Sequence, residues 1–269
     1  MPRPFHPAQG RAVEYPTPAR PVPWTARTDI RPEQTIDLRK IRTRRYEIMW
    51  LDESGNVQDV QRVAPALPAF EAAVSAMRQG TLLETPVGPR AVEDLLPGDT
   101  VLAANGRPDT VVWIGAMMAF VNPNSSASDT PLLTRVTADS FGLSRPSPDL
   151  VLGPGARLLH RSPACQEAYG TEGALAPIGA FVDGEMVVGL CPQSPVKVFH
   201  IAFARHRIIR ANGVEIESFH PGNLAEMRIS RDLLSYYLSL FPHVRSLEAF
   251  GGAAFPQLTL EDAQGLVHA

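Results

Sequence analysis

Cysteine is nearly missing from this chain of 269 residues. Cys165 and Cys191 are too few for a disulfide framework, and the sequence leaves open whether they pair with each other. Lysine is just as scarce: Lys40 and Lys197 stand alone, and nearly all positive charge is arginine. The net charge of −3 and pI of about 6.2 exclude a nucleic-acid-binding protein of the basic type. No apolar run approaches the length of a membrane span, so no membrane partner is expected. The opening Met-Pro-Arg-Pro-Phe-His carries no apolar core of a secretory signal. The expectation is a cytoplasmic protein, with export by another route left open. No spacing of the Cys-x-x-Cys or His-x-x-x-His kind occurs, so scattered histidines are a better reading than a zinc site built from Cys165, Cys191, His160, His200 and His206. No cofactor is expected.

What the chain has in abundance is proline, 26 residues of it, unevenly placed. Pro2, Pro4, Pro7, Pro16, Pro18, Pro21 and Pro23 resist both helix and sheet, so residues 1–35 read as a flexible arm. Residues 36–75 read as a hairpin and a linker helix. Tyr46, Ile48 and Trp50 alternate with residues of the other face, Asp52 to Asn56 supply a turn, and Val57, Val60 and Val63 return. Phe70 to Met77 is the expected helix.

Gly80 to Ala104 organises the rest. It reads as three short strands, through Leu82, Val92 and Val101, divided by turns at Pro86–Pro89 and Pro97-Gly98-Asp99. Asn105-Gly106 is a hairpin signal, and Thr110 to Ile114 returns as a strand. Further strands are expected at 132–142, 149–159, 186–190, 196–203, 207–211 and 214–219, with a helical turn at 176–182 and an irregular stretch at 161–173. After His220-Pro221-Gly222 the period changes. Asn223 is placed to cap a helix running to Phe241, and Thr259-Leu-Glu-Asp to cap a last one.

Gly80-Thr81-x-hydrophobic-x-Thr85-x-x-Gly88, followed by Leu96-Pro97-Gly98-Asp99 and by Trp113-Ile114-Gly115, resembles the opening of a Hint domain, the self-processing module of hedgehog proteins and inteins and of bacterial relatives. The resemblance implies a mainly β fold: a Hint-like horseshoe of short strands over 76–219, with an N-terminal hairpin and a C-terminal helical appendage over 220–269. It also implies where chemistry would sit. A Cys or Ser attacks the carbonyl before it in an acyl shift, and a histidine assists.

At these stations the chain departs from the family. Counting back from Gly80-Thr81 puts the nucleophile at Ala76, whose methyl group cannot attack. Ser75 is one residue off, and such a slip points a strand side chain to the other face. Asp149-Leu150-Val151-Leu152 leads to Gly153 where a hydroxyl belongs and to Ala156 where the histidine belongs. In the third block His200 stands where inteins often carry Asp, and Ala204-Arg205-His206 replaces an Asp-Arg-His. Asn212-Gly213 is followed by no terminal Asn. No catalytic residue is expected; the vestigial region is Ala76, Thr81, Ala156, His200 and His206. The reading is a domain that has lost self-processing and serves as a binding or structural module for an unknown protein partner. Two alternatives stay open: self-cleavage through Ser75, Thr81 or another nucleophile, and an unrelated hydrolase with candidates such as Ser140, His206 and Asp139.

Overall fold

The computed structural model describes residues 41–120, 133–222 and 229–267. The expected proline-rich arm lies outside them, as do residues 223–228 at the expected start of the C-terminal helix.

In chain order the strands are β1 (Thr43–Leu51), β2 (Val57–Pro65), β3 (Met77–Arg78), β4 (Leu82–Thr85), β5 (Gly88–Ala91), β6 (Thr100–Leu102), β7 (Pro108–Ala119), β8 (Leu133–Val136), β9 (Leu150–Leu152), β10 (Arg157–His160), β11 (Ala174–Pro177), β12 (Val187–Leu190), β13 (Val196–Phe203), β14 (Ile208–Ala211) and β15 (Val214–Glu217). The helices are α1 (Pro68–Ala72), α2 (Pro163–Tyr169), α3 (Arg231–Leu238) and α4 (Leu260–Val267). The protein is mainly β. One sheet runs β12-β8-β9-β3-β13-β7-β1-β2, with β6 paired to β7, and the other runs β11-β10-β15-β14-β4-β5. Every strand pairing within both is antiparallel.

The β1–β2 hairpin forms where alternation placed it. Asp52 Oδ1 accepts the amides of Ser54 and Asn56, and Gly55 takes the positive φ that the turn needs. The hairpin joins the larger sheet through Trp50 opposite Trp113. The expected helix at 70–77 sits earlier and is shorter, because Pro68 opens α1 while Met77 is drawn into the sheet. Val92 lies in a 3-10 turn over Val92–Asp94 rather than in a strand. The stretch at 149–159 is divided by Gly153–Ala156 into β9 and β10. Residues 161–173 are not irregular throughout: Pro163 starts α2, and Gly170 in the left-handed region ends it. Helix α3 begins at Arg231 rather than Asn223, after extended residues 229 and 230.

The core has a small apolar cluster around Cys165, Ala176 and Leu258 and two larger ones. One joins Ala76, Leu83, Leu150, Ala156, Ile201 and Ile216 between the sheets. The other packs Tyr46, Phe70, Trp113, Phe219, Tyr237 and Phe241 under α3. Trp113 fixes the second. Its indole N–H donates to Leu240 O at 2.7 Å, and its ring lies 5.0 Å from that of Phe241. The ring folds over Gly115: a Cβ there would sit 2.4 Å from it. The Trp-Ile-Gly motif is therefore a packing device that seats the C-terminal appendage on the strands.

Candidate functional site

The stretch leaving α1 enters the centre of the larger sheet. Strand β3 lies between β9 and β13, with Met77 opposite both Leu152 and Phe199. Just before it, Ala76 N–H donates to Phe199 O at 3.0 Å, and Ala76 O accepts Gly153 N–H at 2.9 Å. Ser75 O accepts Gly155 N–H at 3.1 Å. The first and second stations thus meet through backbone.

That approach requires glycine. A Cβ on Gly153 would stand 2.1 Å from Ser75 O, and one on Gly155 would stand 2.0 Å from Ala72 O. Gly153, read from sequence as the position of a lost hydroxyl, is thus also one of the two residues that let the segments touch. Ala76 and Ala156 are buried in the same apolar cluster. The carbonyl that an acyl shift would attack, that of Ser75, has an amide donor aimed at it and a methyl group at the following residue.

The remaining candidates fall into place around this point. Ser75 is fully buried, and its hydroxyl has no hydrogen-bond partner, so no base is positioned to activate it. Thr81 gives its hydroxyl proton to Arg78 O at 2.7 Å. His200 is buried on β13 with both ring nitrogens unpartnered, its ring edge-on to Phe219 at 5.4 Å. Burial pulls its pKa down to about 4, against the opposing charge of Glu217. Backbone groups of Glu217 and Ala73 are close, but neither reaches hydrogen-bond geometry. A bend at Ala204–Arg205 separates His200 from His206, so the two do not lie on one unbroken strand.

His206 belongs to a second buried group that the sequence did not reveal. Glu217 is nearly fully buried. It accepts hydrogen bonds from Arg157 Nη1 at 3.2 Å and from the Gln257 amide at 2.8 Å, and His206 Nε2 lies 3.4 Å away, at ion-pair distance but outside hydrogen-bond geometry. Burial raises the pKa of this carboxyl, but the His206 ring, the Arg157 guanidinium and the Gln257 amide outweigh it, and the net result lies below the ordinary value. Ala254 N–H donates to His206 Nδ1 at 2.9 Å, which puts the proton of the neutral ring on Nε2, facing Glu217. The His220 ring lies 4.9 Å from that of His206, tilted by 34°, and is itself held by Gly251 O and Gly222 N–H. Alternation along β15 hid Glu217: it shares parity with the less buried Glu215. The useful signal was cross-strand, since Leu158 opposite Ile216 places Arg157 across from Glu217.

The structure does not assemble the hydrolase triad considered from sequence. The Ser140 hydroxyl donates to Thr137 O, Asp139 Oδ1 accepts Ser144 N–H, and His206 is committed to Ala254 and Glu217. Cys165 is buried, Cys191 is exposed, and both are free thiols. Arg207 pairs with Asp109 and Arg210 with Glu84.

Residues 75–223 match the family model described as Hint domain. The chain belongs to the Hint domain family. No curated protein matches it. Among solved structures it is similar to a bacterial intein-like domain from Clostridium thermocellum. There the identity is 14%, with 54% of this chain and 99% of that one covered, at a TM-score of 0.37. It is also similar to the MchDnaB-1 intein, at 16% identity, 54% and 100% coverage and a TM-score of 0.34. The Hint match takes in both the backbone-closed stations and Glu217. Ala254 and Gln257, which complete the Glu217 group, lie beyond its end.

Proposed function

We propose that this Hint domain does not process itself and serves as a structural or binding module. The observation that carries the reading is the pairing of a positioned carbonyl with an inert neighbour: Ser75 O accepts Gly155 N–H while Ala76 presents a methyl group. An acyl shift needs an oxygen or sulfur nucleophile next to the carbonyl and a base within hydrogen-bond reach. Of the hydroxyls that the sequence offers as nucleophiles, that of Ser75 has no partner and that of Thr81 is committed to a backbone carbonyl. His200, which stands where inteins often carry Asp, is buried with both ring nitrogens unpartnered and is hydrogen-bonded to neither hydroxyl.

The test is expression of the full chain with a different tag at each end. The two tags are expected to stay on one polypeptide after prolonged incubation with a strong thiol. Separation of the tags at or near the Ser75–Ala76 bond would sink the reading in favour of self-cleavage. Turnover of general ester or peptide substrates would favour a hydrolase instead.

A further inference from the structure

A cleft of about 410 Å³ shares no lining residue with the processing stations. It lies between the loop that follows β8, the end of β10 and the turn between β14 and β15. Its apolar wall is a row of rings. Phe181 meets Phe141 edge to face at 5.7 Å and His160 at 6.1 Å, with Leu158 behind. Two arginines stand in its lining, Arg145 and Arg161. Arg161 is paired with Glu215 and lies 3.9 Å from Glu172. Arg145 is exposed and makes no side-chain hydrogen bond or ion pair among the described residues.

The wall is held in advance of any ligand. Phe141 N–H donates to Arg145 O at 2.8 Å, which closes the backbone of the tight loop that carries both residues. The loop docks on Asn212-Gly213. Ser147 N–H donates to Asn212 O at 2.9 Å, and the buried Asn212 amide reaches Pro148 O and Asp149 O, each at 3.1 Å. Gly213, at positive φ, leaves room for Ser144 O, which would lie 2.6 Å from a Cβ there. A preformed concavity with aromatic walls and a few placed polar groups is the usual form of a small-ligand site. Here the charge is positive: Glu215 is the one acidic residue in the lining and is paired with Arg161, while Arg145 remains. His160 is kept below its ordinary pKa by burial and adds a ring rather than a charge.

We infer that this cleft binds a small planar aromatic anion, its ring against Phe141 and Phe181 and its negative group at Arg145. The rings offer faces and edges for stacking, and the guanidinium offers a fork that matches a carboxylate, sulfonate or phosphate.

The full chain is titrated calorimetrically with 1-naphthalenesulfonate and, in parallel, with the uncharged 1-naphthalenemethanol. One saturable site is expected. Affinity should fall about tenfold for the uncharged probe and about tenfold in Arg145→Gln, the loss of one charge-assisted contact. Phe141→Leu, with its fold checked by circular dichroism, should also weaken binding, and Arg245→Gln, a distant exposed arginine, should not. Absence of saturable binding overturns the assignment. So does equal affinity for the two probes, an unchanged Arg145→Gln, or an equal loss in Arg245→Gln.

Discussion

The processing stations and the seam under the C-terminal appendage both bury polar groups, and they treat them in opposite ways. At the stations the contacts are backbone to backbone, the neighbouring side chains are methyl groups and glycines, and the hydroxyl of Ser75 and both nitrogens of His200 have no partner. At the seam a buried carboxylate is surrounded: Glu217 accepts hydrogen bonds from an arginine and an amide, and a histidine fixed by Ala254 stands at ion-pair distance with its Nε2 outside hydrogen-bond geometry. Unpartnered buried groups cost stability and partnered ones are costly to break. Replacing the unpartnered polar side chains of the stations, Ser75 and His200, by apolar ones should therefore be tolerated or helpful, whereas the station glycines and the partnered groups of the seam should resist substitution. The family scaffold has been kept at the first place by close backbone packing. At the second it depends on residues outside the Hint match.

The largest effect should come from breaking the seam. Arg157→Met leaves Glu217 buried without its cation and should cost about 3–4 kcal/mol in denaturant unfolding. A loss under about 1 kcal/mol would mean that the His206 and Gln257 contacts alone hold the carboxylate. Next, Gly155→Ala pushes a methyl group into Ala72 O and should cost about 2–3 kcal/mol, the range for overpacking a site that cannot give way. An unperturbed variant would show that the two stations are not in tight contact.

His200 gives a pH signature. Its ring takes a proton near pH 6.5 when unfolded and only near pH 4 when folded. Between those values the unfolded chain binds more protons, so stability falls as the pH drops through the window. From pH 7 to pH 5 the loss should be about 2 kcal/mol. His200→Leu should remove that part of the slope. His243, also pulled down to about 4 by burial, should leave a residual one. The Glu217 carboxyl, whose folded pKa is lowered, adds stability above its unfolded value that is lost only at lower pH. Stability curves at pH 7, 6 and 5 separate these, and an unchanged slope in His200→Leu would refute the burial of a neutral ring. The smallest effect is expected for Ser75→Ala. Removing a buried hydroxyl without a partner should be neutral or stabilising by up to about 1 kcal/mol, read as a shift in unfolding midpoint.

Much of the scaffold was legible because turns announce themselves. Asn105-Gly106 does connect β6 to β7, Val196–Phe203 is a strand over its full length, and Thr259 caps α4 through the Asp262 amide at 3.2 Å. Helix α2 was missed although Pro163 and Gly170 marked its ends, because its seven residues carry too little apolar periodicity. The site was legible only as a set of departures from a family pattern. That Gly153 and Gly155 bring backbones together, and that Glu217 is buried, depends on which strands lie side by side. Alternation along a single strand carries no record of its neighbours.

The most direct test of the central claim is the intact mass of the purified chain before and after incubation with a strong thiol and with hydroxylamine, which capture thioesters and esters. The account predicts one species at 29.2 kDa throughout. A nucleophile-dependent break at residue 75 or 76 would contradict it and would place working chemistry at a station where the chain carries serine followed by alanine.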